Sequence, residues 1–150
     1  MCRPPAGLDT FSQFNVNIHQ ITPQRVANLP RFHEVWPDAL GLIGEMPVIA
    51  HNADFDISAV RQACAQSRRP GPAWTYGCTK EYAQSLLSLR NNKLPTVAAA
   101  LDVKLLRHHD ATCDADAAAD IAIRLAQRTA VTDLAGLARV SGRRLRHTTS

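Results

Sequence analysis

Met46-Pro47-Val48-Ile49-Ala50-His51-Asn52-Ala53-Asp54-Phe55-Asp56 is the stretch that decides the fold of this 150-residue chain. It opens as a short apolar run with β-branched valine and isoleucine and ends in a polar turn, which is how a buried strand reads. Beyond the turn, Ile57, Val60, Arg61 and Cys64 follow helical spacing. The expectation is a strand over 46–51 and a helix from about 54 to 67. A strand that runs into a polar turn and then a helix is where open α/β folds carry functional residues, at the carboxyl ends of strands. Two acids, Asp54 and Asp56, stand at the start of that helix.

Working outward, the second informative stretch is His108-His109-Asp110-Ala111-Thr112-Cys113-Asp114, leading into the alanine-rich run that continues to about Arg128. Asp114, Ala118, Ile121 and Leu125 fall on one face of a 3.6-period helix. The lower part of that face is core. Asp114 near the amino end is favoured by the helix dipole and is placed to hold a cation, with His109 over the same opening. The structural alternative is that Asp110 or Asp114 caps the helix and His109 is a solvated loop residue. A zinc site from His109 and Cys113 lacks a second pair of ligands.

Around these stretches the pattern alternates strand and helix. Trp74 to Cys78 reads as a second strand and Thr79 as the cap of a helix to about Leu87. Thr22 followed by Pro23 starts a short helical turn. Phe32, Trp36, Leu40 and Ile43 form an apolar stripe on a helix from about 31 to 42, with Pro37 near its start, and they are expected in the core. Pro95 opens a helix with Leu94, Val97 and Leu101 inward, 102–106 is an ambiguous connector, and a last helix spans 132–140. Residues 1–17 read as an irregular lead-in. The whole implies an α/β fold, divided into a body, 1–129, and a short helix with a basic tail, 130–150.

Hydrophobic residues make up 45% of the chain, and no apolar run nears the ~18 residues of a bilayer span, so a soluble domain is expected. No apolar segment of signal-peptide type follows Met1. Cys2, Cys64, Cys78 and Cys113 are scattered, which reads as reduced thiols in a cytoplasmic protein. The net charge of +4 is local: without Arg139, Arg143, Arg144 and Arg146, 13 basic residues face 13 acidic ones. That tail either touches phosphates or is a solvated terminus.

The segments His51-Asn52-Ala53-x-Phe55-Asp56 and His109-x-Ala111-x-x-Asp114 resemble the second and third motifs of the DEDDh 3′-to-5′ exonuclease superfamily, which includes the proofreading epsilon subunit of bacterial DNA polymerase III. Tyr76-Gly77-Cys78-Thr79, Asn92-Lys93-Leu94-x-Thr96-Val97-Ala98 and Ile18-His19-Gln20-Ile21-Thr22-Pro23 are similar to the same family in the right order. The resemblance covers about residues 15 to 128.

The resemblance implies an RNase H-like fold, incomplete at its N-terminal strands. It also implies hydrolysis of DNA or RNA 3′ ends assisted by two Mg²⁺ or Mn²⁺ ions. Carried over by position, Asp56 and Asp114 are metal ligands, His109 is the general base, and His51, Asn52 and Phe55 lie beside the substrate. The departure is the family's first motif, an Asp-x-Glu, which occurs nowhere in the 150 residues. The expectation is therefore a truncated domain, a strand exchanged between two copies, or another chain that completes the sheet. The alternative is an inactive relative that binds nucleic acid or a partner without turnover.

Overall fold

The computed structural model describes residues 1–5, 7 and 9–148. Along the chain lie α1 (Gln13–His19), α2 (Pro23–Val26), α3 (Phe32–Ile43), β1 (Val48–Ala50), α4 (Ala53–Gln66), β2 (Thr75–Cys78), α5 (Thr79–Leu86), α6 (Leu94–Ala100), α7 (Ala111–Arg128), α8 (Leu134–Val140) and β3 (Arg146–His147). The described residues fall into two compact units, 1–45 with 58–72, and 46–57 with 73–148.

In the first unit, Thr22 caps α2 as its sequence demands: its side chain accepts the Arg25 N–H at 3.3 Å, and Pro23 takes the first helical position, where its missing N–H costs nothing. Trp36 is buried and stacks on the half-buried Phe32 with ring centroids 5.0 Å apart, while Leu40 and Ile43 are also only half-buried, so of the stripe Trp36 alone is core. Pro37 is accommodated inside α3. The irregular reading of residues 1–17 fails over Gln13–His19, which is helical. The prolines and glycine that break regular structure all precede it, and Gln20, in the left-handed region at φ 57°, ends the helix by donating its N–H to the Val16 carbonyl. α1 buries none of its residues, so it carries no apolar periodicity by which to be seen.

In the second unit, β1 pairs in parallel with β2, Val48 opposite Tyr76 and Ala50 opposite Cys78. Parallel pairing requires a crossover, and α4 begins it directly after the turn. Packing is organised by α7, which touches β1, α5, α6 and α8. Ile121 and Leu125 are fully buried there with Tyr82, Val97 and Leu137. Each such side chain contributes roughly 1.5–3 kcal/mol by leaving water. The stripe read along 114–125 is therefore the spine of this unit.

One end of the sheet differs from expectation. Only two strands were read, yet β3 adds antiparallel to β2, Tyr76 opposite Arg146, giving the order β1-β2-β3. Two residues have no periodicity to read; what holds them is charge supplied from far along the chain. Arg146 forms ion pairs with Asp54 at 3.1 Å and Glu81 at 3.2 Å and lies over the Tyr76 ring. At this residue the solvated-tail reading is corrected. Among the described residues β1 is the other edge of the sheet.

Candidate active site

The site is built where α7 begins. Asp110 is the N-cap, its side chain accepting the Cys113 N–H at 3.2 Å, and it pairs with Arg107 at 3.1 Å. Those contacts hold its carboxyl below the usual carboxylate range. Capping is thus done by Asp110, which leaves Asp114 for other work. His109 adopts the left-handed conformation, φ 71°, uncommon outside glycine. This turns the chain back so that its backbone N–H donates to Asp114 Oδ2 at 3.1 Å. His108 Nδ1–H donates to the other oxygen, Oδ1, at 3.0 Å. The two imidazoles stack with centroids 3.8 Å apart. Asp114 is partly buried and both histidines are exposed.

The second half of the site lies at the carboxyl ends of β1 and β2. His51 closes β1, and both of its ring nitrogens are engaged: Nε2–H donates to the Asn92 carbonyl at 2.9 Å, and Nδ1 accepts from the Thr79 hydroxyl at 2.9 Å. The carbonyl, which can only accept, places the proton on Nε2 and leaves Nδ1 as the acceptor in the neutral ring. Burial, with Lys80 nearby, pushes the His51 pKa down against the opposing bond to Asn92 and the charge of Asp114. Asn52 takes φ 77° in the turn and accepts from Lys80 Nζ at 3.1 Å. Phe55 stands 72% exposed in the first turn of α4, an aromatic face with no burial to explain it. Asp54 is held by Arg146 and by the Tyr76 hydroxyl, whereas Asp56 is not part of that network.

Asp56 has its carboxyl raised above the usual range, first by desolvation and then by the charge of Asp114. The fold therefore brings Asp56, Asp114, His108 and His51 into one electrostatic neighbourhood, because Asp114 acts on both Asp56 and His51 and His108 acts on His51. A carboxylate whose ionisation a second carboxylate opposes is one that a divalent cation relieves. Asp56 and Asp114 offer carboxylate oxygens, the donor type a hard cation takes. Among the described residues, the group whose donor atoms stand together is His108, His109 and Asp114.

Reading the sequence missed three contributors. His108 was visible as the neighbour of His109, but only the left-handed turn at His109 brings both rings to Asp114. Thr79 was read as a cap; Cys78 holds that position, and Thr79 is fully buried as the partner of His51. Arg146 carried no local signal.

The family RNase_T, described as exonuclease, matches residues 4–122. The PolC-type DNA polymerase III of Oceanobacillus iheyensis is 32% identical over 119 residues, which is 79% of this chain and 8% of that protein. That of Caldanaerobacter subterraneus subsp. tengcongensis is 33% identical over 121 residues, again 79% of this chain and 8% of the relative. A putative bifunctional exonuclease/endonuclease protein of Mycobacterium tuberculosis is 30% identical over 118 residues, 75% of this chain and 18% of that one. The chain thus spans a small part of the curated relatives it matches. Among solved structures, exonuclease X in complex with 5′ overhanging duplex DNA has a similar fold, with a TM-score of 0.59 at 24% identity over 81% of this chain and 69% of that one.

Proposed function

The chain belongs to the exonuclease family, with the RNase H-like α/β fold, and on that footing we propose that it is a 3′-to-5′ exonuclease acting on single-stranded 3′ ends of DNA or RNA. The observation that carries the reading is the gathering of His108, His109 and Asp114 at the mouth of α7, with Asp56 at the start of α4 near enough for the charge of Asp114 to raise its carboxyl. Asp56 and Asp114 would hold a Mg²⁺ or Mn²⁺ ion, which when bound neutralises charge on a scissile phosphate and acidifies a water. His109, an imidazole at the mouth of α7, would take the proton from the attacking water. His51 orders the turn from beneath, tying the end of β1 to the start of α5 and to the loop before α6. Phe55 offers an exposed ring on which a terminal base can stack, an interaction of ~1–3 kcal/mol.

The test is hydrolysis of a 3′-labelled single-stranded oligonucleotide with Mg²⁺ or Mn²⁺, run beside His109→Ala and Asp114→Ala. Metal-dependent loss of label, abolished in both variants, is expected. Turnover that persists in both would refute the assignment. A second reading is a relative that binds single strands without turnover. It is favoured if the oligonucleotide is bound but left intact.

A further inference from the structure

His108 has no role in the reaction proposed above, yet it stands where a ligand would. One ring nitrogen each from His108 and His109 and one carboxylate oxygen of Asp114 lie within 4.8 Å of one another. The His108 Nδ1 to Asp114 Oδ1 separation is 3.0 Å, near the roughly 3.3 Å between two ligands of a tetrahedral ion whose bonds are about 2.0–2.1 Å, and the Nδ1 proton that bridges them is released when an ion takes its place. Asp114 is already oriented, because its other oxygen accepts the His109 N–H. Both rings are exposed, so an ion reaches them without opening the fold. The donor set is the deciding feature. Mg²⁺ takes oxygen ligands in octahedral geometry, whereas two imidazoles and one carboxylate suit a borderline cation such as Zn²⁺ or Co²⁺. Three protein ligands also leave a coordination position for water or a phosphate oxygen.

We infer that His108, His109 and Asp114 form a single-ion site for a borderline divalent cation, Zn²⁺ above all, which shares Asp114 with the hard-cation pair Asp56 and Asp114 but adds two imidazoles in place of Asp56. The site has a regulatory consequence, which rests on the proposed function: an occupied site takes His109 out of use as a base and claims Asp114, so Zn²⁺ inhibits hydrolysis supported by Mg²⁺. The site itself stands on its geometry and needs no nuclease activity.

The experiment titrates the full chain with Co²⁺, followed by its visible d–d absorption, and then displaces Co²⁺ with Zn²⁺. One Co²⁺ per chain is expected, displaced by Zn²⁺. Affinity should fall at least tenfold in His108→Ala and in the bulkier His108→Gln, since loss of even an outer partner of a metal ligand costs ~10–100-fold. Asp56→Asn should retain the absorption. Because His108 is exposed, both variants are expected to keep the wild-type circular dichroism, which is checked first. No Co²⁺ absorption, binding that survives both His108 substitutions, or binding lost equally in Asp56→Asn overturns the inference. The two readings separate cleanly. A chain that hydrolyses DNA with Mg²⁺ yet binds no Co²⁺ refutes this site alone, and one that binds Co²⁺ through His108 but cleaves nothing refutes the nuclease alone.

Discussion

Replacing Arg146 by alanine removes the clamp that holds β3 to the second unit. The guanidinium meets Asp54 at 3.1 Å and Glu81 at 3.2 Å, and its carbon lies 4.9 Å from the centroid of the Tyr76 ring. The Arg146 side chain is 33% exposed, and its partners are 66% and 32% exposed, so the pairs are screened by solvent. Exposed ion pairs contribute about 0–1 kcal/mol each. An exposed cation–π contact adds roughly 0.5–1 kcal/mol. Because one guanidinium serves all three, the total falls short of the sum, and Arg146→Ala should cost about 1–2 kcal/mol. The assay is urea denaturation at low salt and at about 1 M salt, where the Debye length shrinks to ~3 Å. The loss should be clear at low salt and fall by about half at high salt, leaving the ring contact. Arg146→Lys should recover part of it, since a point charge cannot fork between two carboxylates. A double-mutant cycle with Asp54→Ala should show coupling, as expected of residues in contact. A cost equal at both salt concentrations, or no coupling to Asp54, would refute the electrostatic account and leave β3 held by its backbone pairing.

Three further outcomes are expected. His51 is depressed by burial, so its neutral form is the one the fold accepts: the stability it confers is complete above the unfolded pKa of ~6.5 and is lost as pH falls from there through its folded value. Thermal melts between pH 7.5 and 5 should show that decline and its flattening in His51→Gln; an unchanged slope refutes it. Asp56 is shifted the other way, upward, so its contribution is favourable below the unfolded carboxylate pKa and disappears as pH rises through the folded value. Asp56→Asn should therefore melt higher than wild type at pH 7 while weakening Mn²⁺ binding, and a lower melting temperature contradicts this. A methyl group at Gly77 would stand 2.5 Å from the Tyr82 hydroxyl, within the buried core. Gly77→Ala should cost about 1–3 kcal/mol by overpacking. Tyr82→Phe, which removes the obstructing atom, should return much of that in the double variant, and strict additivity would show that the clash is not with the hydroxyl.

What the sequence by itself determined is the local skeleton of the second unit and the identity of its acids. The strand before His51 was legible as a short β-branched apolar run, and the helix after Asp54 and the spine of α7 because apolar spacing of period 3.6 records which face is buried. Ile121 and Leu125 announce themselves in that way. The motifs around Asp56, His109 and Asp114 were legible because each is a contiguous run. Tertiary structure alone decided which of these groups meet. His108 becomes a partner of Asp114 through a single left-handed residue, His109. Thr79 becomes the partner of His51 across 28 positions, and Arg146 reaches Asp54 across 92. α1, with no buried residue, left no periodic trace. The physical reason is common to all of these: periodicity records the burial of neighbours along one element, whereas hydrogen bonds and ion pairs between distant residues depend on where the fold brings the chain back. A helix that buries none of its residues writes nothing into the apolar pattern.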